Sequence, residues 1–366
     1  MHPDTRVLHA GYPAGPGPYL PGPTFAATYV APGDPAQHAY TYGRFHNPTW
    51  TAWETALAEL DGGHAIAFGS GMAAVSAVFG VVLSPGDVVV MPTDCYYTTR
   101  ILARDWLAKL GIETRLAPTR GNAQLEHLKG AKLLWLETPS NPSLEVCDIA
   151  LLARAAAEQG CLVAVDNTTA TGLLQQPLAL GATLTVASDT KALTGHADLT
   201  LGHVSVTDPD LAVRLRTWRT QHGAIPAPME VWLAHRSLAT LPLRQERQCG
   251  TALALATMLE ARGGLSRVHY PGLPGHPGHE IARRQMRAFG SVLSFDLDTE
   301  PRADRFLKRL RLVREATSFG GVHSSAERRA RWGGDAVSPG FIRFSVGVEH
   351  PGDLLADVAQ ALDAAG

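Results

Sequence analysis

From residue 48 onward, short apolar runs alternate with longer stretches in which apolar residues recur at helical spacing. The pattern predicts helices over 48–60, 71–83, 99–110 and 149–159, and strands over 64–68, 87–91, 132–137, 162–166, 183–188 and 203–206. Asn47 followed by Pro48 is a helix start: the Asn side chain caps free N–H groups, and Pro suits the first turn. Strands alternating with helices imply a mostly parallel sheet with helices on both faces. Ligands of such sheets bind beyond the carboxyl ends of the strands. A helix-rich stretch over 232–262 leads to a second set of elements, strands over 292–297 and 341–346 with helices near 301–311 and 353–364. That set reads as a smaller α+β domain. Residues 1–45 are rich in Pro, Gly and Tyr and show no helical period, so they read as an extended arm. Tyr12, Tyr19, Phe25, Tyr29, Tyr40 and Tyr42 make it too apolar to lie free in water, so it needs a surface on this chain or on a partner subunit. The expected division is an arm over 1–45, an α/β domain over 46–240 and a C-terminal α+β domain over 241–366, with no internal repeat and no low-complexity tract.

Composition narrows the function by exclusion. The net charge is −2 over 366 residues and no basic run occurs, which argues against nucleic acid and against an anionic membrane surface. No apolar run approaches the roughly 18 residues of a membrane span. The first residues lack a charged region followed by an apolar one, so no signal peptide is expected. Cys95, Cys147, Cys161 and Cys249 show neither a CxxC nor paired spacing. They read as reduced thiols of a cytoplasmic protein, not as a disulfide framework or a metal site.

Three motifs carry candidate chemistry. Gly69-Ser70-Gly71-Met72-Ala73-Ala74 follows a strand and opens a helix, which fits a dinucleotide fingerprint with Asp94 as ribose partner. The physical content is narrower, since bare N–H groups at a helix start bind an anion, usually phosphate. A plain tight turn is the alternative. Asp166 ends an apolar strand and places a carboxylate at the ligand-binding edge, or caps the following turn. Lys191, in Ser188-Asp189-Thr190-Lys191, is one of only five lysines against twenty-seven arginines. Lys109, Lys129, Lys132 and Lys308 sit where a solvated charge is natural; Lys191 follows an apolar strand among small hydroxyl residues. Lysine, unlike arginine, can lose its proton when desolvated and attack a carbonyl. Phosphate cradle, reactive lysine and strand-end carboxylate together match the needs of pyridoxal 5′-phosphate (PLP). An NAD(P)-dependent oxidoreductase, the remote alternative, uses the glycines but leaves Lys191 and Asp166 idle.

The chain resembles the cystathionine gamma-synthase/gamma-lyase (Cys/Met metabolism) family of PLP enzymes almost end to end. The resemblance is carried by Thr5-Arg6-x-x-His9-x-Gly11, Tyr42-Gly43-Arg44-x-x-Asn47-Pro48-Thr49, Ser70-Gly71-Met72-Ala73-Ala74 and Asp94-Cys95-Tyr96. Further blocks are Glu137-Thr138-Pro139-Ser140-Asn141-Pro142, Asp166-Asn167-Thr168 and Ser188-x-Thr190-Lys191-x-x-x-Gly195-His196. The last are Ser318-x-Gly320-Gly321 and Ile342-Arg343-x-Ser345-Val346-Gly347-x-Glu349. The resemblance implies the PLP-dependent transferase type I fold. It implies that Lys191 carries the cofactor as a Schiff base and moves protons, that Asp166 pairs with the pyridinium nitrogen, and that Tyr96 stacks on the ring and helps accept the substrate's ammonium proton. Gly71, Met72, Ser188 and Thr190 hold the phosphate. Tyr42 and Arg44 reach the neighbouring subunit's phosphate, so a homodimer is the minimal active unit and a homotetramer the usual assembly. Arg343 clamps the substrate α-carboxylate, helped by Asn141 and Ser318.

Two departures from the family pattern bear on the substrate. Tyr97-Thr98 stand where Gly-Gly usually follows the tyrosine. Val322-His323-Ser324 stands where a Glu often marks cystathionine-handling members, which makes His323 a candidate for the substrate's distal end. The activity implied is that of a carbon–sulfur lyase of transsulfuration. γ-Elimination of cystathionine to cysteine, 2-oxobutanoate and ammonia comes first; the alternatives are cystathionine γ-synthase, methionine γ-lyase and cystathionine β-lyase. A non-catalytic relative would have lost the lysine, aspartate or arginine, and all three are present.

Overall fold

The computed structural model describes residues 1–366. The large unit comprises α1 (Pro3–His9), α2 (Pro48–Asp61), β1 (His64–Phe68), α3 (Gly71–Val82), β2 (Val88–Pro92), α4 (Tyr97–Leu102), β3 (Glu113–Ala117) and β4 (Leu133–Glu137). It continues through α5 (Ile149–Glu158), β5 (Leu162–Asp166), α6 (Thr171–Leu174), β6 (Leu184–Ala187), β7 (Gly202–Val206) and α7 (Pro209–His222). The helices α8 (Pro228–Leu238) and α9 (Leu241–Arg262) lead to β8 (Val268–His269), α10 (His279–Gln285), β9 (Val292–Asp296) and α11 (Glu300–Arg309). The chain ends in β10 (Arg314–Glu315), β11 (Ser325–Arg328), β12 (Phe341–Ser345) and α12 (Pro351–Ala365).

Seven strands form one sheet in the order β1-β7-β6-β5-β4-β2-β3, and only β7 runs antiparallel to its neighbours. The second sheet has the order β10-β11-β12-β9-β8 and is antiparallel except for the short β10–β11 pair. The central strands β2, β4 and β6 are buried along their whole length, as expected for a sheet covered on both faces. α3 and α7 pack on one face and α5 on the other, while α2 and α8 share a third apolar cluster with β1. The small sheet closes its own core against α9, α11 and α12 around Phe295, Phe306 and Phe344.

Local chemistry places the boundaries. Asn47 accepts the Thr49 N–H at 2.8 Å to start α2, and Gly62 (φ 81°) ends it. Ser70 accepts the Ala73 N–H to start α3. Four features differ from the sequence reading. The arm opens with a helical turn, α1, seated by the buried Val7. The helix expected over 99–110 begins at Tyr97 and passes at Ala103 into a wider and then a tighter turn. β3 was not foreseen, because Glu113 and Arg115 break its apolar pattern at the sheet edge. α7 was also missed, although Asp208 before Pro209 is a capping signature and Asp208 accepts the Asp210 N–H.

Candidate active site

β1, β2, β4, β5 and β6 all end at one edge of the large sheet, and the segments that follow them meet loops of the small domain around a cavity of about 450 Å³. Ser70, Gly71 and Met72 line it at the start of α3, Tyr96 at the start of α4, and Asn141 beyond β4. Asp166 enters from β5; Ser188, Thr190 and Lys191 enter from the turn after β6. Ser318 and Arg343 close it from the small domain. Residues dispersed over most of the sequence thus share one concave surface.

The α3 corner is shaped by absent side chains. A Cβ on Gly71 would stand 2.7 Å from Ser188 Cβ, and one on Gly202 would stand 2.6 Å from the Gly71 backbone. Both glycines let the helix start close on β7 and on the Ser188 turn, and Gly71 and Met72 of that start line the cavity. The Ser188 N–H donates to Thr168 Oγ1 (2.8 Å), which ties the β6 turn to the β5 turn. The Thr190 hydroxyl is engaged with Leu201, donating to its carbonyl (3.1 Å) and accepting its N–H (3.0 Å).

Lys191 Nζ donates to Ser318 Oγ at 2.8 Å and lies 5.4 Å from the centre of the Phe319 ring. Burial, helped by the Arg343 cation, lowers its pKa to about 8. Asp166 is buried and accepts the Thr168 N–H at 3.0 Å. Burial raises its pKa, against the Thr168 hydrogen bonds and the nearby positive charges of Lys191 and His203.

Arg343 is held by three acceptors: Asn141 Oδ1 (2.8 Å), the Ser318 carbonyl (2.8 Å) and Glu327. Glu327 also accepts from Arg329, Arg331 and the Trp332 indole, so the guanidinium meets the cavity in a fixed orientation. Glu137 lies beneath the opposite wall, accepting the Tyr96 N–H (2.7 Å) and the Asn141 N–H (2.8 Å). Arg329 bonds Asp335, which in turn accepts Arg100 of α4, and this pins the segment carrying Trp332 over the cavity.

Four residues singled out in the sequence lie elsewhere. His323 has an exposed side chain and does not line the cavity, because its turn directs Ser324, not His323, inward to Glu349. Asp94 is not a ribose ligand in waiting: its two oxygens accept the Thr119 N–H and the Ser140 hydroxyl. Tyr42 and Arg44 lie outside this chain's own cavity, exposed on the arm, with Arg44 donating to the Thr220 carbonyl. Conversely, Glu137, Glu327, Arg329 and Trp332 had no assigned role in the sequence reading. A family motif contained Glu137, but nothing marked the other three.

The side chains present fit PLP. The glycine-lined helix start suits a phosphate, Lys191 a carbonyl carbon, and buried Asp166 a protonated ring nitrogen.

Known proteins give the same assignment. The family model for Cys/Met metabolism PLP-dependent enzymes matches residues 22–363. A Streptomyces coelicolor protein named "Putative cystathionine gamma-lyase" is 55% identical over 366 residues, covering 98% of this chain and 93% of the relative. The cystathionine gamma-lyase of Bacillus subtilis is 38% identical over 353 residues, 92% of each chain. The crystal structure of metB from Corynebacterium glutamicum superposes with a TM-score of 0.96 at 35% identity, covering 99% of this chain and 98% of that one. With a mostly parallel α/β domain, a smaller antiparallel one and the lysine-bearing site between them, the chain belongs to the family of Cys/Met metabolism PLP-dependent enzymes.

Proposed function

We propose that this enzyme is a carbon–sulfur lyase whose preferred reaction is γ-elimination of cystathionine, giving cysteine, 2-oxobutanoate and ammonia with uptake of one water. The observation that carries this reading is a buried lysine in the same cavity as a fixed guanidinium, Lys191 beside Arg343. The two cystathionine gamma-lyase-named relatives support the substrate class.

PLP, when bound, supplies an electron sink for charge developing at the substrate Cα and Cβ. Arg343 binds the α-carboxylate through its paired N–H groups and turns the Cα–H toward Lys191. With PLP bound, the neutral Lys191 amine would take the Cα proton, pass it to the cofactor and, neutral again, take a Cβ proton; as the Cγ–S bond breaks, the resulting ammonium would give that proton to the departing sulfur. Ser318 Oγ, within hydrogen-bond reach of Nζ, steers the amine between these positions. With PLP bound, Asp166 would pair with the ring nitrogen and keep it protonated, and Tyr96 would face the ring and help accept the substrate's ammonium proton. Gly71, Met72, Ser188 and Thr190 hold the phosphate.

Tyr42 and Arg44 act in the site of a neighbouring subunit, so the working unit is a homodimer, assembled further into a tetramer in the cytoplasm. Their exposure on the arm, away from their own cavity, supports this.

Steady-state assay of cystathionine, methionine and O-acetyl- or O-succinylhomoserine, with keto-acid products identified, tests the substrate. The expected result is 2-oxobutanoate and cysteine from cystathionine. Pyruvate with homocysteine would make the enzyme a β-lyase, and cleavage of methionine alone a methionine γ-lyase. Turnover only of an activated homoserine with cysteine would make it a synthase.

A further inference from the structure

Ser188, Thr190 and Lys191 line the cavity, but Asp189 between them does not; it is fully buried. Its Oδ1 lies 2.5 Å from Nδ1 of His203 on β7, and Nε2 of the same ring lies 2.7 Å from Asp61 Oδ2 at the end of α2. Ser205 Oγ donates to that same Asp61 oxygen at 2.8 Å. All three charged side chains are at most 3% exposed. Trp53 of α2 turns its indole N–H toward Asp189 without completing a hydrogen bond.

The geometry sets the protonation state. A neutral imidazole has one N–H, so its other nitrogen would press a lone pair against a carboxylate at hydrogen-bond distance. With Asp61 and Asp189 both ionised, only the imidazolium satisfies both contacts. Burial alone would lower the ring's pKa, but Asp189 and Asp61 outweigh it and push the value up to about 10. Asp61 from α2, Asp189 from the β6 turn and Asp166 from β5 are the charged groups that sense this cation.

The clamp has a mechanical consequence. The turn after β6 is tied to its surroundings by hydrogen bonds from the Ser188 N–H to Thr168 Oγ1, between Thr190 and Leu201, and from Arg244 to the Ala192 and Leu193 carbonyls. The Asp189 side chain is its ionic tie to the body of the fold, through His203 to α2. A shift of this turn would move the cavity-lining Ser188 and Thr190 and the Lys191 Nζ together.

We propose that His203, clamped as an imidazolium between Asp61 and Asp189, is a positioning residue that holds the turn bearing Ser188, Thr190 and Lys191 in register with the cavity. Its catalytic consequence rests on the reading of Lys191 as the reacting amine; the clamp itself does not.

Two measurements on the holoenzyme test it. Histidine C2 hydrogen exchange in the wild-type protein, followed by mass spectrometry across pH, reports the ring's own titration. A midpoint above about 9 supports the clamp, and one at or below about 6.5, the ordinary histidine value, overturns it. The second measurement compares His203→Gln and the near-isosteric Asp189→Asn with wild type. Backbone hydrogen exchange of peptides covering 188–195 should quicken about tenfold or more, with kcat down by about tenfold and KM within about twofold. Unchanged exchange in 188–195 overturns the clamp. Faster exchange with unchanged kcat overturns the positioning role and leaves the reading of Lys191 intact. If His203→Gln does not fold, the wild-type titration and Asp189→Asn still decide the matter.

Discussion

Lys191 in the cofactor-free protein should behave unlike any other lysine of the chain. Its pKa falls from the ordinary 10.5 to about 8, first because burial penalises the ammonium, then because the Arg343 cation repels it. Asp166 and Glu327 act in the opposite sense. At pH 7 about one Lys191 amine in ten is then free, against about one in three thousand for an ordinary lysine, a ratio of about 300. The assay is pulse acylation of the apoprotein with a trace reagent across pH 6–11, with each lysine counted by peptide mass spectrometry. Lys109, Lys129, Lys132 and Lys308 serve as internal references. Burial slows reagent access and scales the absolute rate, but the midpoint of the pH curve reports the amine. A midpoint near 8 is expected for Lys191. Arg343→Gln should raise the Lys191 midpoint, because it removes a cation, and Asp166→Asn should lower it. Titration of Lys191 in step with the four references would refute the argument that desolvation and Arg343 prepare it.

Four further outcomes follow from the same geometry. Arg343→Lys loses the paired N–H fork, and with it about 1.5–3 kcal/mol of carboxylate binding, so KM should rise about 10- to 150-fold with kcat less affected in steady-state assays. Gly71→Ala puts a methyl 2.7 Å from Ser188 Cβ. Overpacking costs about 1–3 kcal/mol, so absorbance titration should show PLP affinity falling by about 5- to 150-fold, with the fold retained. Mixing Arg44→Ala with Lys191→Ala subunits should restore about a quarter of wild-type activity, since a mixed dimer with shared sites regains one intact site of two; no recovery would refute the shared site. His203 has a folded-state pKa of about 10, above its ordinary 6.5. Its contribution to stability is therefore complete below pH 6.5 and is lost as pH rises through about 10. The melting temperature should fall between pH 8 and 10, and His203→Gln should flatten that fall.

How much of this site was legible in the sequence depends on the kind of signal each residue leaves. Gly71, Asp166 and Lys191 stand at strand ends or helix starts, so periodicity alone placed them at one sheet edge. β3 and α7 escaped because charge covers their pattern: Glu113 and Arg115 on an edge strand, and three arginines, Arg214, Arg216 and Arg219, along a helix. Glu327, Arg329 and Trp332 were invisible for another reason. They read as part of a charged surface run, and only the antiparallel pairing of β11 with β12, which sets Glu327 opposite Arg343, turns that run into the wall of a cavity. His323 shows the converse case: it stands where related sequences often carry a Glu, but the turn at Val322–Ser324 carries its ring outward. Asp189 and His203 join both lessons. Strand alternation hides Asp189 between two cavity-lining neighbours, and its partners come from β7 and α2, far off in sequence. A pairing of this kind is written in no local pattern. It exists only once β7 runs antiparallel beside β6 and sets His203 opposite Ala187, just short of the turn that carries Lys191.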